Sequence, residues 1–123
     1  MPSPLPKTSS PSAGQRSADK RAKIIELNDL LRSTFQGGRV QMTPSVYGLD
    51  ERLRGRALAV MARYSRFDQE SDHGHGVFIF AGYSFEWRIE YRANDGTGIS
   101  LDPADPKKTL RVLTLYALND ELQ

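Results

Sequence analysis

The chain of 123 residues has a net charge of +2, with 38% hydrophobic and 26% charged residues, which is typical of one globular domain. It has no cysteine, which excludes a disulfide framework, a thiolate metal site and a cysteine nucleophile. No apolar run approaches the roughly 20 residues that span a bilayer, and the N-terminus lacks the apolar stretch of a secretory signal. We therefore expect a cytoplasmic protein.

The charge is unevenly distributed along the chain. Residues 1–66 carry 12 Lys and Arg against 5 Asp and Glu, whereas residues 67–123 carry 5 against 10. This asymmetry is typical of a basic surface that meets an acidic partner, but also of two halves that neutralise each other within the fold.

Residues 1–18 are rich in proline and serine and almost free of apolar side chains. Such a segment cannot bury enough surface to offset its ordering entropy, so we predict a disordered arm followed by one domain over residues 19–123. From about Asp19, apolar residues at spacings of three and four predict a first helix, which ends before Gly37-Gly38. The stretch RVQMT (39–43) then predicts a short strand.

A second helix is predicted over about residues 50–66, with Asp50 as its N-cap. Its apolar stripe is Leu49, Leu53, Ala57, Val60, Met61 and Tyr64. A turn of about 100° per residue places four arginines within an arc of about 80° beside this stripe: Arg52, Arg56, Arg63 and Arg66.

Arginine suits bidentate contact with carboxylate or phosphate. We therefore predict that these four arginines bind a partner, which is either an acidic protein surface or a nucleic acid backbone. The alternative is that this face pairs within the fold with the acidic C-terminal half.

The stretch VFIFAGYSFEWRIEYR (77–92) predicts an antiparallel hairpin that turns at Gly82-Tyr83. On its second strand Phe85, Trp87, Ile89 and Tyr91 alternate with Glu86, Arg88, Glu90 and Arg92, which indicates one buried and one solvated face. The charged residues are expected to pair along the strand. A carboxylate so close to arginines has a lowered pKa and is a poor general acid or base.

The stretch ANDGTGIS (93–100) is turn-like, and Asp105 followed by Pro106 is typical of the start of a helix. A wide apolar surface after it predicts a third helix over about residues 105–119. The predicted fold class is α+β, with a small antiparallel sheet of three to four strands around the central hairpin 77–92, packed against three helices.

The stretch ESDHGHGVF (70–78) holds both histidines of the chain. Two histidines at positions i and i+2 of a strand could chelate a metal with Asp72, and His73 could act as a general base beside Asp72 or Asp102. The simpler interpretation is a polar turn that leads into the hairpin, with His75 packed as an aromatic substitute. Asp72 and His73 are therefore a second, polar candidate site, for which we expect neither a metal nor a cofactor.

Five separate stretches resemble the bacterial family named domain of unknown function 3768. They are ELNDLLR (26–32), GRV (38–40), DHGHGVF (72–78), EWRIEY (86–91) and DPADPKKTLRVLTL (102–115). The resemblance covers about residues 24–118 and implies no established activity. It implies a small proteobacterial protein, often encoded near plasmid and conjugative-element genes.

The resemblance also implies which histidine matches the family pattern. The family form is Glu-His-Asp-Phe-Gly, and its histidine lies fourteen residues before a tryptophan. Counting back fourteen residues from Trp87 gives His73, so His73 matches the histidine and Asp72 stands for the glutamate. Gly76 matches the glycine. Gly74 replaces the aspartate, and His75 falls at the aromatic position.

From these observations we expect a non-enzymatic binding or accessory protein that contacts its partner through the arginine face of the second helix. A role in mobile-element biology follows from the family's setting. An anti-restriction or anti-CRISPR inhibitor that acts by protein binding is one alternative. A small metal-dependent hydrolase centred on His73 is another.

Overall fold

A computed structural model describes residues 12–118. The elements in chain order are α1 (Ala13–Thr34), β1 (Arg39–Met42), α2 (Pro44–Tyr47), α3 (Glu51–Ala62), β2 (His75–Phe80), β3 (Tyr83–Ala93) and β4 (Thr109–Ala117). This arrangement confirms the predicted α+β class. None of the helices in this part of the chain is both long enough and apolar enough to cross a membrane.

The four strands form one open sheet in the order β1-β4-β3-β2. The predicted hairpin is present as β2 and β3, but its turn is Ala81-Gly82 and not Gly82-Tyr83, because Tyr83 pairs with Phe80 as the first residue of β3. Strand β4 is antiparallel to β3 but parallel to β1. The sheet is therefore mixed, which corrects the prediction of a purely antiparallel one.

The predicted third helix over residues 105–119 is wrong, because residues 109–117 form β4. This strand is paired on both sides and buried on both faces, so its apolar residues run almost without interruption. Such a run cannot be distinguished from a buried helix by periodicity. Asp105 does cap a turn, since its carboxylate accepts a hydrogen bond from the Lys107 N–H at 2.9 Å, but no helix follows.

The first helix begins earlier than predicted. The Ser12 hydroxyl accepts the Gln15 N–H at 3.1 Å and caps a helix that starts at Ala13. Residues 13–18 of the predicted arm are therefore helical, whereas residues 1–11 lie outside the described part of the chain. The helix ends as Phe35 adopts a left-handed conformation with φ of 62°.

The second long helix, α3, ends at Ala62 instead of residue 66. Tyr64 and Phe67 lie beyond this end of the helix. Their rings pack edge-on against Trp87, at centroid distances of 5.5 and 6.0 Å. Arg63 is consequently the C-cap, and Arg66 lies in the irregular segment that follows.

The helices cover one face of the sheet and bury a single core against it. The largest buried side chain there is Trp87 of β3. The buried core residues are Leu31, Val46, Ala57, Met61, Phe85, Trp87, Ile89, Leu113, Leu115 and Ala117. The predicted buried face of β3 is therefore confirmed.

The opposite face of β3 carries its charged residues, which pair along the strand as predicted. Arg88 Nε lies 2.9 Å from Glu86 Oε2, and an Arg92 nitrogen lies 2.6 Å from Glu90 Oε1. The hydrogen bond from Arg88 lowers the pKa of Glu86. Both glutamates of this strand thus form ion pairs with arginines of the same strand.

Replacing Gly76 or Gly55 with alanine should change the stability of the protein in opposite directions. A Cβ on Gly76 would lie 2.5 Å from Trp87 Nε1 and 2.7 Å from Tyr64 Cζ, whereas a Cβ on Gly55 in α3 would meet nothing within 4 Å. We expect Gly76→Ala to lower the free energy of unfolding by about 1–3 kcal/mol. Gly55→Ala should raise it by about 0.5–1 kcal/mol, because alanine is the better helix former.

Urea denaturation of the two variants and the wild type measures both effects. Equal stability of Gly76→Ala and the wild type would contradict the described packing of Gly76 against Trp87.

Candidate functional site

A cleft of about 840 Å³ lies between α3 and β2. Its floor is apolar and includes Ala59 and Val60 of α3 and Phe78 and Phe80 of β2. Its rim is basic, because Arg56, Arg63 and Arg66 also line it. We call this feature the arginine cleft.

The arginine cleft brings together three of the four predicted binding arginines. Arg52 is exposed on α3, one turn before Arg56, and is not among the lining residues. All four side chains are exposed, and within residues 12–118 no ion pair involves any of them. The fifth arginine of this helix differs, because Arg54 donates to the Tyr47 carbonyl at 2.8 Å and covers the Tyr47 ring.

The arginine cleft continues along the edge strand β2. A second hollow of about 630 Å³ shares Tyr64, Arg66 and Val77 with the cleft. On β2 itself, Val77 and Ile79 are 46% and 76% exposed. They pair with Glu86 and Ser84, so their side chains lie on the charged face of the sheet and their backbone borders the hollows. The two hollows therefore form one groove beside β2, which we call the β2 groove.

The predicted polar site divides into two separate clusters. Asp72 accepts the Tyr91 hydroxyl at 2.8 Å through Oδ2 and the Gly74 N–H at 2.9 Å through Oδ1. Asn28 Nδ2 donates to the Asp72 carbonyl at 2.9 Å and to the Tyr91 oxygen at 2.7 Å. Asp72 is therefore part of a buried network and makes no hydrogen bond to His73.

Arg111 of β4 completes this network. Only 2% of it is exposed, and its Nε donates to Asn28 Oδ1 at 2.9 Å, while Nη2 donates to the Pro103 carbonyl. The guanidinium carbon lies 5.2 Å from the centre of the Tyr91 ring. Burial lowers the pKa of Arg111, and burial raises the pKa of Tyr91 well above its ordinary value.

His73 belongs to the second cluster, on the helix side of the sheet. Its Nδ1 lies 2.8 Å from Asp29 Oδ1 of α1, an oxygen that also accepts Arg32 Nη1 at 2.8 Å. Its ring stacks on Phe67 at 3.8 Å between centroids. An ionised carboxylate can only accept a hydrogen bond, so the Asp29 partner fixes Nδ1–H as the donor.

His75 lies on the opposite face of the sheet. Its Nε2 is 2.7 Å from Glu86 Oε2, and its side chain is 56% exposed. The two histidines therefore form no joint chelate, and the expectation that His75 is packed as an aromatic is wrong. Among residues 12–118, no group of three or more histidine or acidic side chains could hold a metal ion.

Sequence reasoning missed the residues that surround Asp72 and His73, namely Asn28, Asp29, Arg32 and Arg111. One signal was available in α1. Asn28 lies four residues after Ile24 and three before Leu31, so it is a polar residue inside an apolar stripe. A polar residue at such a position predicts a buried hydrogen-bond partner.

The fold and the grooved edge define a small α+β protein with one helix-covered face and one polar face. A family model described as "Protein of unknown function (DUF3768)" matches residues 42–120. Because this match covers most of the chain, the chain belongs to that family, as the resemblance predicted. The stretches at 26–32 and 38–40 lie before the matched residues. Comparisons with curated proteins and with solved structures found no match.

The raised pKa of Tyr91 predicts how stability depends on pH. Folding keeps the phenol protonated above its ordinary pKa of 10.0, so its contribution is complete below about pH 10 and is lost as the pH rises further. Tyr91→Phe should remove this alkaline loss. At neutral pH it should cost about 1–3 kcal/mol, because the Asp72 carboxylate loses a donor.

Urea denaturation on both sides of pH 10 measures these effects. Tyr47→Phe is the matched control, since Tyr47 is 62% exposed and should leave both quantities unchanged. An alkaline loss of stability in Tyr91→Phe equal to that of the wild type would contradict the prediction.

Proposed function

We propose that the protein is a non-enzymatic binding module that uses the arginine cleft to contact an anionic partner. The observation that carries this proposal is the placement of Arg56, Arg63 and Arg66 around one apolar hollow. Exposed guanidinium groups beside an apolar surface suit contact with carboxylates or phosphates.

Comparison with other arginines of the chain supports the proposal. Arg32 is bound to Asp29, Arg54 to the Tyr47 carbonyl and Arg111 to Asn28. These three stabilise the fold through hydrogen bonds, whereas the arginines of the cleft make no ion pair within residues 12–118. Their charge is thus available to a partner.

The partner is an acidic protein surface or a nucleic acid backbone, since both carry closely spaced negative charges. Mobile-element biology is the context that we propose for this function, on the basis of the genetic setting that the resemblance implies. An inhibitor of restriction or CRISPR machinery that acts by protein binding is a more specific form of the same proposal.

Charge reversal in the cleft tests the proposal. We expect Arg56→Glu/Arg63→Glu to weaken binding of at least one anionic probe by tenfold or more, since a tenfold loss is only about 1.4 kcal/mol. The probes are labelled poly-glutamate, a single-stranded oligonucleotide and a DNA duplex, and fluorescence anisotropy at low and high salt measures their affinity. Wild-type binding should weaken as salt is added.

Lys20→Glu/Arg39→Glu is the matched control. It makes the same change of net charge at two exposed positions outside the cleft. The control should bind within about twofold of the wild type, and circular dichroism should show both variants folded. The proposal fails if the wild type binds none of the probes, or if the two double variants lose affinity equally.

A further inference from the structure

Strand β2 is an edge strand that faces the β2 groove. We propose that the partner binds as an extended acidic protein segment that adds a strand to the sheet at β2. This inference rests on the proposed function of the arginine cleft and names the chemistry of its partner. It depends on the backbone of β2, on its side chains and on the charge around it.

The backbone of β2 presents hydrogen-bonding groups to the groove. The hairpin turn has two residues with positive φ, Ala81 at 53° and Gly82 at 82°, which is the geometry of a type I′ turn. In such a hairpin the flanking pair, Phe80 and Tyr83, is hydrogen-bonded, and the bonded pairs then alternate along the ladder. The N–H and C=O groups of Val77 and Ile79 consequently point away from β3.

The side chains of β2 lack the features that protect exposed edges. Its sequence, HGVFIF, contains no lysine, no proline and no acidic residue, although charged residues and proline commonly block the pairing of edge strands. Val77 and Ile79 are exposed instead. The other edge strand, β1, has only four residues and begins with Arg39. An unprotected edge of six residues, about 20 Å long, is suited to strand addition.

The charge around β2 differs between the two hollows and selects the kind of segment. Arg21, Asp68 and Glu70 line the hollow beside His75 and Gly76, whereas the charged residues of the hollow beside Ile79 and Phe80 are all arginines. Arg56, Arg63 and Arg66 line the same hollow as Val77 and Ile79, so a strand placed beside β2 lies within reach of their guanidinium groups. On the helix side of that strand, acidic residues would pair with the arginines and aliphatic residues would cover Phe78 and Phe80. On its other side, aliphatic residues would pack against Val77 and Ile79.

Two other occupants fit less well. A second copy of this chain paired through β2 would bring two arginine rims together, and the like charges would repel. A nucleic acid could meet the arginines, but its backbone cannot extend a β-ladder or use Val77 and Ile79. An acidic peptide segment satisfies all three features.

A peptide array tests the inference directly. The probes are blocked ten-residue peptides, half Asp or Glu and half Val, Ile or Phe. One control array has lysine for each acid, and another has proline at every second position, which removes backbone donors. We expect the wild type to bind members of the acidic array at least tenfold more tightly than their counterparts in either control array.

Val77→Pro separates strand addition from simple charge attraction. Because the Val77 N–H points away from β3, proline there removes a donor to the partner and spares the hairpin. Val77→Thr is the matched control, since it keeps the N–H and the β-branched shape. We expect Val77→Pro to weaken peptide binding at least tenfold and Val77→Thr to bind within about threefold of the wild type.

Amide hydrogen exchange of the wild type with the best-binding peptide gives a second measurement that needs no variant. The amides of Val77 and Ile79 should exchange at least tenfold more slowly in the complex. The amide of Phe78, which already bonds to β3, should change less.

The outcomes distinguish this inference from the proposed function. Equal binding of all three arrays, full binding by Val77→Pro, or no change in exchange at Val77 and Ile79 would overturn strand addition. Binding of the oligonucleotide but of no peptide would also overturn strand addition. In that case the arginine cleft would keep its proposed role, provided that Arg56→Glu/Arg63→Glu abolishes binding of the oligonucleotide. If that double variant binds as the wild type does, the proposed function itself fails.

Discussion

Four distant segments of the chain meet at the side chain of Asn28. Its amide oxygen accepts Arg111 of β4, and its nitrogen donates to Tyr91 of β3 and to the Asp72 carbonyl before β2. A buried polar network of this kind is costly unless every member is satisfied, and it is directional when it is satisfied. It therefore fixes α1 against the middle of the sheet and sets the path by which the chain enters the edge strand.

The path of the chain from Asp72 into β2 determines which side of this edge strand packs on the core and which edge faces the groove. After Asp72, the chain passes His73 in a left-handed conformation with φ of 63° and then Gly74, where a Cβ would lie 2.8 Å from Asp72 Oδ1. It next reaches Gly76, which is packed against Trp87. The helix side of β2 is thus fixed by the core, and its outer edge faces the β2 groove. The two histidines that the sequence offered as metal ligands or a general base lie on opposite faces of the sheet, where His73 contacts Asp29 and His75 contacts Glu86.

The sequence predicted the elements with regular local patterns. The hairpin followed from strict alternation at Phe85, Trp87, Ile89 and Tyr91, and α3 followed from its stripe and its cap at Asp50. Strand β4 was missed because a strand buried on both faces has no alternation. The cluster of Arg56, Arg63 and Arg66 could be predicted from helical spacing, although Arg66 lies beyond the helix. Their position beside β2 could not, because it depends on the order of strands in the sheet.

We propose that the arginines of α3 and its C-terminal end serve a partner and not the fold. Unfolding of a variant with Arg52, Arg56, Arg63 and Arg66 all changed to Gln tests it, because Gln keeps most of the side-chain length and removes the charge. We expect this variant to be at least as stable as the wild type at low salt. The difference should shrink at 1 M salt, because salt screens the mutual repulsion of the arginines. A variant that is less stable by more than about 1 kcal/mol would show that these arginines support the fold and are not reserved for a partner.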